Sequence, residues 1–249
     1  MGSLNGRVAI VTGGARGIGR AYCLGLAAEG ASVVVADLSE GEQVVTEIEH
    51  RGGKAIAVHV DVSDQASTEG MARTTAESFG RIDVLINNAA YFKQVKRGPF
   101  DEIEVEEWDR AFAVNVRGAW LCARAVFPSM RDQGSGKIIN VASNTVWKGV
   151  TGFLHYVTSK AALVGMTRSL AREVGDYNIA VNTIAPDFIP DEDMLRTRGS
   201  HDEEVIAQRA FKRRQVPEDM VGTVVFLSGP GSDFVTGQSI LVNGGAWFQ

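Results

Sequence analysis

The sequence predicts an α/β fold in which a parallel sheet is covered on both faces by helices. Short runs rich in Val and Ile alternate with segments of helical periodicity along the whole chain, and those runs are apolar throughout instead of alternating with polar residues. A continuously apolar strand is one buried on both sides, as in a parallel sheet sandwiched between helices. The first such run also ends in a glycine-rich turn that opens a helical pattern. With 249 residues, and no repeat or linker to divide them, residues 1–249 read as one domain with a full core.

The first strand is Val8 to Val11, followed by Thr12-Gly13-Gly14-Ala15-Arg16-Gly17-Ile18-Gly19 and a helix from Arg20 to Glu29. Strand, glycine turn and helix is the order that phosphate binding requires. Glycines let the backbone approach a pyrophosphate, and the unpaired N–H groups of the helix N-terminus stabilise its charge. The second strand, Ser32 to Ala36, ends at Asp37, 20 residues beyond Gly17, where a carboxylate accepts hydrogen bonds from an adenosine ribose. A dinucleotide is therefore the expected ligand of this half.

The alternation continues with a helix over about Glu40 to Arg51, a strand from Ala55 to Val60, a helix over about Gln65 to Phe79 and a strand from Val84 to Ile86. A long helical region covers about Val105 to Gln133, with Asn115, a mediocre helix former, in its middle. Then come a strand from Lys137 to Val141, a loop holding Ser143, a helix that carries Tyr156 and runs to about Val174, and a strand from Ile179 to Ile184 stopped by Pro186. Residues 187 to 200 lack periodicity and read as a mobile loop over the sheet edge, with the substrate loop taken as about 187–214. Pro217-Glu218-Asp219 starts a helix to Leu227, and Ser239 to Val242 is the last strand.

Composition narrows the partners. A formal net charge of -5 argues against nucleic acid, and the basic run Lys212-Arg213-Arg214 reads as a solvated face. Cys23 and Cys122 stand far apart, and His50, His59, His155 and His201 are scattered, so neither a disulfide framework nor a metal site is expected. The N-terminal residues have no apolar signal core, and no apolar stretch reaches membrane-spanning length, which predicts a cytoplasmic protein without membrane attachment.

Chemistry concentrates between Ser143 and Lys160. Residues four apart share a helix face, so Tyr156 and Lys160 project side by side toward the Ser143 loop. A free tyrosine titrates near ~10, and bringing it to neutrality takes about 4 kcal/mol. A neighbouring ammonium favours the phenolate, while the Ser143 hydroxyl holds a substrate oxygen beside the phenol. The trio suits proton transfer at an alcohol or a carbonyl.

Taken together these residues resemble the short-chain dehydrogenase/reductase family, classical type, over essentially the whole chain. Thr12 to Gly19 resembles its T-G-x-x-x-G-x-G loop and Asn87-Asn88-Ala89-Ala90 its N-N-A-G segment, while Asn115, Ser143, Tyr156 and Lys160 stand at the family's catalytic spacing. The resemblance implies a single-domain Rossmann fold with a doubly wound seven-stranded parallel sheet, in a homotetramer. It implies that Tyr156 is the acid/base, that Lys160 lowers its pKa and binds the nicotinamide ribose, that Ser143 orients the substrate oxygen, and that Asn115 holds a water relaying protons from Lys160. Asp61 and Val62 would flank the adenine, and Asn88, Ala89 and Ala90 would line the adenosine-side ribose and the phosphate path. Gly13, Arg16, Gly17, Ile18, Gly19, Asp37, Leu38, Pro186 and Ile189 complete the expected cofactor contacts. Three positions depart from the pattern: Ala90 replaces a glycine, Asp187 replaces the glycine after Pro186, and Asp191 stands where a threonine often meets the nicotinamide amide.

Asp37 would repel a 2′-phosphate and Arg16 would attract one; Asp37 lies at the ribose itself, so NAD is the expected cofactor. Tyr91, Phe92, Trp147, Phe153 and Phe188 fall in loops near Ser143 and suit a pocket for a hydrophobic secondary alcohol, aryl or alicyclic, and its ketone. The alternatives are a 3-oxoacyl thioester reductase, with Arg131 and Arg172 attracting an acidic carrier protein, and a non-catalytic NAD-binding regulator.

Overall fold

The computed structural model describes residues 2–190 and 199–248. Among these, seven strands form one parallel sheet: β1 (Val8–Thr12), β2 (Ser32–Asp37), β3 (Lys54–His59), β4 (Val84–Asn87), β5 (Gly136–Val141), β6 (Ile179–Pro186) and β7 (Ser239–Val242). They lie in the order β3-β2-β1-β4-β5-β6-β7. The helices are α1 (Gly17–Ala28), α2 (Glu42–His50), α3 (Gln65–Phe79), α4 (Val105–Phe112), α5 (Ala119–Gln133), α6 (Thr145–Lys148), α7 (Leu154–Glu173), α8 (Gly199–Gln208) and α9 (Glu218–Ser228).

Two hydrophobic cores flank the sheet. One gathers Ala9, Val11, Val33 and Val35 with Tyr22 and Leu26 of α1 and with Met220, Val224 and Leu227 of α9. The other gathers Ile10, Val34 and Ala36 with Met71 of α3 and Cys122, Val126 and Met130 of α5. Successive residues of a strand point to opposite faces. Because both faces are buried, Val33 and Val34 enter different cores, and the runs are apolar at every position.

The chain builds outward from β1 through β2 to β3, then returns to add β4 on the other side of β1. That reversal opens a crevice beyond the carboxyl ends of β1 and β4. The opposite ends of these strands are fixed by Asp83, which accepts the Val8 amide at 2.8 Å and two bonds from the Arg81 guanidinium at 2.7 and 2.6 Å. Asp83→Ala would leave the buried Val8 N–H unpaired and is expected to cost about 2 kcal/mol. A urea titration checks this, and an unchanged midpoint would contradict the anchoring.

Three features differ from expectation. The region over 105–133 is not one regular helix: a π-helical turn, Ala113–Gly118, joins α4 to α5 and holds Asn115. Pro186 does not stop β6 but ends inside it, paired with Val242, since a strand terminus tolerates the missing N–H. Within the region expected as a loop, α8 occupies Gly199–Gln208; of its described residues only Val205 is deeply buried, so no apolar stripe marks it. Asp191 lies outside the described residues. Among those described, no helix is long and apolar enough to cross a membrane, and no cluster of three metal-ligating side chains occurs.

Candidate active site

A cleft of about 690 Å³ runs along the carboxyl end of the sheet at the crevice. Its first half is built on the turn between β1 and α1. Gly13 and Gly17 take φ of 64° and 56°, in the left-handed region that glycine favours. A Cβ on Gly19 would lie 1.9 Å from the Gly13 carbonyl oxygen, so backbone packs directly on backbone. The N-terminus of α1 has no side-chain cap, leaving its N–H groups for an anion. Asn88 staples the turn to β4, its Nδ2 donating to the carbonyls of Thr12 and Gly13 at 3.0 Å each, while the Asn88 and Ala89 amides donate to Thr12 Oγ1 at 3.0 and 3.1 Å.

Asp37 closes this end. Its carboxylate accepts the Ala15 amide at 3.0 Å and the Ser39 amide at 2.9 Å. Arg16, Ile18 and Leu38 line the cleft beside it, and Val62, Ala89 and Ala90 continue the wall. The uncapped helix end, the glycine cradle and the fixed carboxylate fit the pyrophosphate and ribose of a dinucleotide. Asp61 is not part of the lining; its carboxylate instead turns the chain into α3, accepting the Ser63 amide at 2.8 Å and the Ser63 hydroxyl at 2.7 Å, and Val60 takes its place in the wall.

The second half brings Ser143, Tyr156 and Lys160 together. Ser143 leaves the end of β5, while Tyr156 and Lys160 lie one turn apart on α7, all three facing the cleft. The Ser143 side chain acts on the Tyr156 hydroxyl, lowering its pKa against the effect of burial. Thr145, which sequence reasoning missed, donates its hydroxyl to Ser143 Oγ at 3.0 Å and its amide at 3.3 Å. Lys160 Nζ donates to the Val141 carbonyl at 2.8 Å and lies 5.9 Å from the centre of the Tyr156 ring.

Burial governs both titrating groups. The Tyr156 phenol is pushed up to about 12 by desolvation, against which the Ser143 side chain acts, and desolvation pushes Lys160 down to about 7. This corrects the expectation that Lys160 sets the phenol low. The apolar surroundings include the ring of Phe153, stacked on Tyr156 at 4.6 Å, and that of Phe92 at 5.2 Å. Near neutral pH the phenol is therefore held protonated, and burial makes the lysine far readier to lose its proton than a free one.

Asn115 lies behind the cleft. Its Oδ1 accepts the Tyr91 amide at 2.7 Å, and its Nδ2 donates to the Ser159 hydroxyl at 2.9 Å, which in turn donates to the Tyr156 carbonyl at 2.7 Å. Its side chain thus holds the loop after β4 against the turn of α7 that carries Tyr156. Phe153, Phe188, Pro186 and Ile189 line the cleft. Trp147 does not. In the single turn of α6, Thr145 and Lys148 are three apart and share the face toward the cleft, which rotates Trp147 off it. Asp187, marked only as a departure in sequence, is buried between Lys148 Nζ and Arg209 Nε, each at 2.9 Å.

A family model described as Enoyl-(Acyl carrier protein) reductase matches residues 13–246. The (2S)-[(R)-hydroxy(phenyl)methyl]succinyl-CoA dehydrogenase subunit BbsD of Thauera aromatica is 36% identical over 97% of both chains. A 3-oxoacyl-[acyl-carrier-protein] reductase of Synechocystis sp. is 36% identical over 98% of each. Among solved structures, a doubly substituted short-chain dehydrogenase/reductase from Serratia marcescens is similar with a TM-score of 0.91 at 33% identity, covering 98% of this chain and 99% of that one. A protein from Beutenbergia cavernae assigned as an NAD(P) dependent gluconate 5-dehydrogenase, with NADP bound at low occupancy, is similar with a TM-score of 0.90 at 36% identity over 98% of both chains.

Proposed function

The chain belongs to the short-chain dehydrogenase/reductase family of nicotinamide-dependent oxidoreductases, and from that premise we propose that it interconverts a hydrophobic secondary alcohol, aryl or alicyclic, and its ketone with NAD. Tyr156 is the acid/base, Ser143 fixes the substrate oxygen, and Lys160 binds the nicotinamide ribose and exchanges protons with the phenol. Asn115 belongs to the same machinery, holding the turn that carries Tyr156 and standing on the proton path from Lys160. NAD, when bound, supplies the hydride acceptor. Gly13, Gly17, Gly19 and Asp37 hold its pyrophosphate and adenosine ribose, and Pro186 and Ile189 its nicotinamide end. The preference for NAD rests on Asp37, held at the end of β2 by the Ala15 and Ser39 amides where an adenosine ribose would lie, whereas Arg16 is exposed. Homotetrameric assembly and a cytoplasmic location belong to the same reading.

The observation that carries the substrate class is the pair of rings, Phe92 and Phe153, packed around Tyr156. These rings make the surroundings of a reacting oxygen at Tyr156 apolar, which suits an aryl or alicyclic group, although the Phe153 ring itself is stacked on Tyr156 and carries the Arg97 guanidinium at 4.5 Å. The name of the Thauera relative describes such a centre, a hydroxy(phenyl)methyl group. The second reading, reduction of a 3-oxoacyl thioester, is favoured by the names of other relatives and opposed by Asp37. Absorbance of NADH followed with a panel of aryl and alicyclic secondary alcohols, and separately with an acetoacetyl thioester, decides between them. Turnover of the alcohols is expected; turnover of the thioester alone would reject the reading.

A further inference from the structure

Asp187 sits where β6 gives way to the cleft wall, with its side chain only 6% exposed. Both carboxylate oxygens and the backbone amide are taken. Oδ1 accepts from Lys148 Nζ at 2.9 Å and from Asn144 Nδ2 at 3.2 Å, Oδ2 accepts from Arg209 Nε at 2.9 Å, and the amide donates to Gln215 Oε1 at 3.1 Å. Burial alone would raise this carboxyl, but its bonds to Lys148 and Arg209 outweigh burial and hold it below the usual carboxylate range.

The partners come from separate segments. Lys148 and Asn144 belong to the loop and short helix that carry Ser143, and the Asn144 amide also donates to the Pro186 carbonyl at 2.8 Å. Arg209, 2% exposed beyond the end of α8, donates in addition to the Phe188 carbonyl at 2.8 Å and the Arg213 carbonyl at 3.1 Å. Gln215 donates onward to the Val242 carbonyl of β7 at 2.6 Å. Both sides of the cleft's inner end are thus tied to one carboxylate.

We propose that Asp187 is a positioning residue: together with Lys148 and Arg209 it fixes the wall from Pro186 to Ile189 against the Ser143 loop in its ligand-binding geometry. The wall is ordered in advance, so binding does not carry the entropy of ordering it. The network therefore sets affinity for the nicotinamide cofactor and for substrate, leaving the proton transfer at Tyr156 to other groups. This rests on the family's cofactor and not on which alcohol is oxidised.

A structural role alone, balancing buried charge, is the competing account. Removing only the carboxylate leaves two buried cations unpaired, whereas replacing a whole buried ion cluster with apolar residues is often neutral for stability. The test is the triple variant Lys148→Met, Asp187→Gly, Arg209→Met beside the single, isosteric Asp187→Asn. NADH affinity is read by fluorescence titration, stability by thermal melting, and kcat and KM with whichever substrate the wild type turns over. The triple variant is expected to fold with a lowered melting temperature, because the Phe188, Arg213 and Asn144 groups lose partners, and to bind NADH about tenfold or more weakly, with KM raised similarly and kcat lowered less than about threefold. Asp187→Asn should weaken NADH binding by about threefold or more. NADH affinity within about twofold of wild type in the folded triple variant would overturn the proposal, as would a fall in kcat at constant KM. Should the triple variant fail to fold, Asp187→Asn decides by the same twofold threshold. Because NADH binding needs no substrate, failure here is distinct from failure of the alcohol panel.

Discussion

Tyr156→Phe is expected to lower kcat by about 10³-fold while leaving NADH affinity within about twofold of wild type. The substitution removes one hydroxyl and nothing else. The ring keeps its stack on Phe153 and its contact with Phe92, so the wall of the cleft stands. What disappears is the group proposed to pass a proton to or from the substrate oxygen beside Ser143. The pH dependence follows from the same burial. Only the phenolate accepts a proton from an alcohol, and desolvation holds the phenol protonated up to about 12. Alcohol oxidation by the wild type should therefore accelerate as pH rises, and ketone reduction, which needs the phenol as donor, should not. Stopped-flow traces of NADH across a pH series check both directions. Unimpaired turnover in Tyr156→Phe would remove Tyr156 from the mechanism, and a wild type that binds NADH but turns over nothing would favour a regulator on the same fold.

The fold was legible because the sheet lies between two cores. Adjacent residues such as Val33 and Val34 are both apolar, each facing a different layer of helices, and the pattern needs no long-range information. The glycine turn was legible for a similar reason, since Gly13, Gly17 and Gly19 answer to local geometry and close approach. Properties that arise only from residues distant in sequence were hidden. The Tyr156 phenol is raised by burial, and the rings packed on it come from residues distant in sequence such as Phe92, which a reading of Lys160 alone does not include. Asp187 looked like a disturbance of the cofactor end because its partners lie 39 and 22 residues away. The only local trace was an acidic residue where the family pattern has glycine. Trp147 and Asp61 lie off the cleft lining for local reasons: one is on a single helical turn whose face sequence could not fix, the other accepts bonds from its own neighbour Ser63.

Asp37→Asn is expected to reverse a preference for NAD over NADP of about 10²-fold, raising kcat/KM with NADP by about 10²-fold and lowering it with NAD by about tenfold, a change of about 10³-fold in the ratio. The carboxylate is held at the end of β2 by the Ala15 and Ser39 amides, so it cannot turn away from a phosphate on the adenosine ribose. Two unit charges about 4 Å apart at an effective dielectric of about 20 repel by about 4 kcal/mol, and solvent at the cleft mouth reduces this to the two to three powers of ten expected here. Asparagine keeps the shape but only one of the two acceptors, so besides removing the charge it frees one of the Ala15 and Ser39 amides, which contributes to the loss with NAD. Arg16 lies next to Ala15 and is exposed. Once the carboxylate is neutral nothing opposes its attraction for the extra phosphate, so adding Arg16→Gln to Asp37→Asn should take back much of the gain with NADP and leave NAD nearly unaffected. Steady-state rates with each cofactor in the wild type and both variants measure the effect. A wild type that prefers NADP would show that Arg16, not Asp37, governs the adenosine end, and would at once strengthen the thioester-reductase reading.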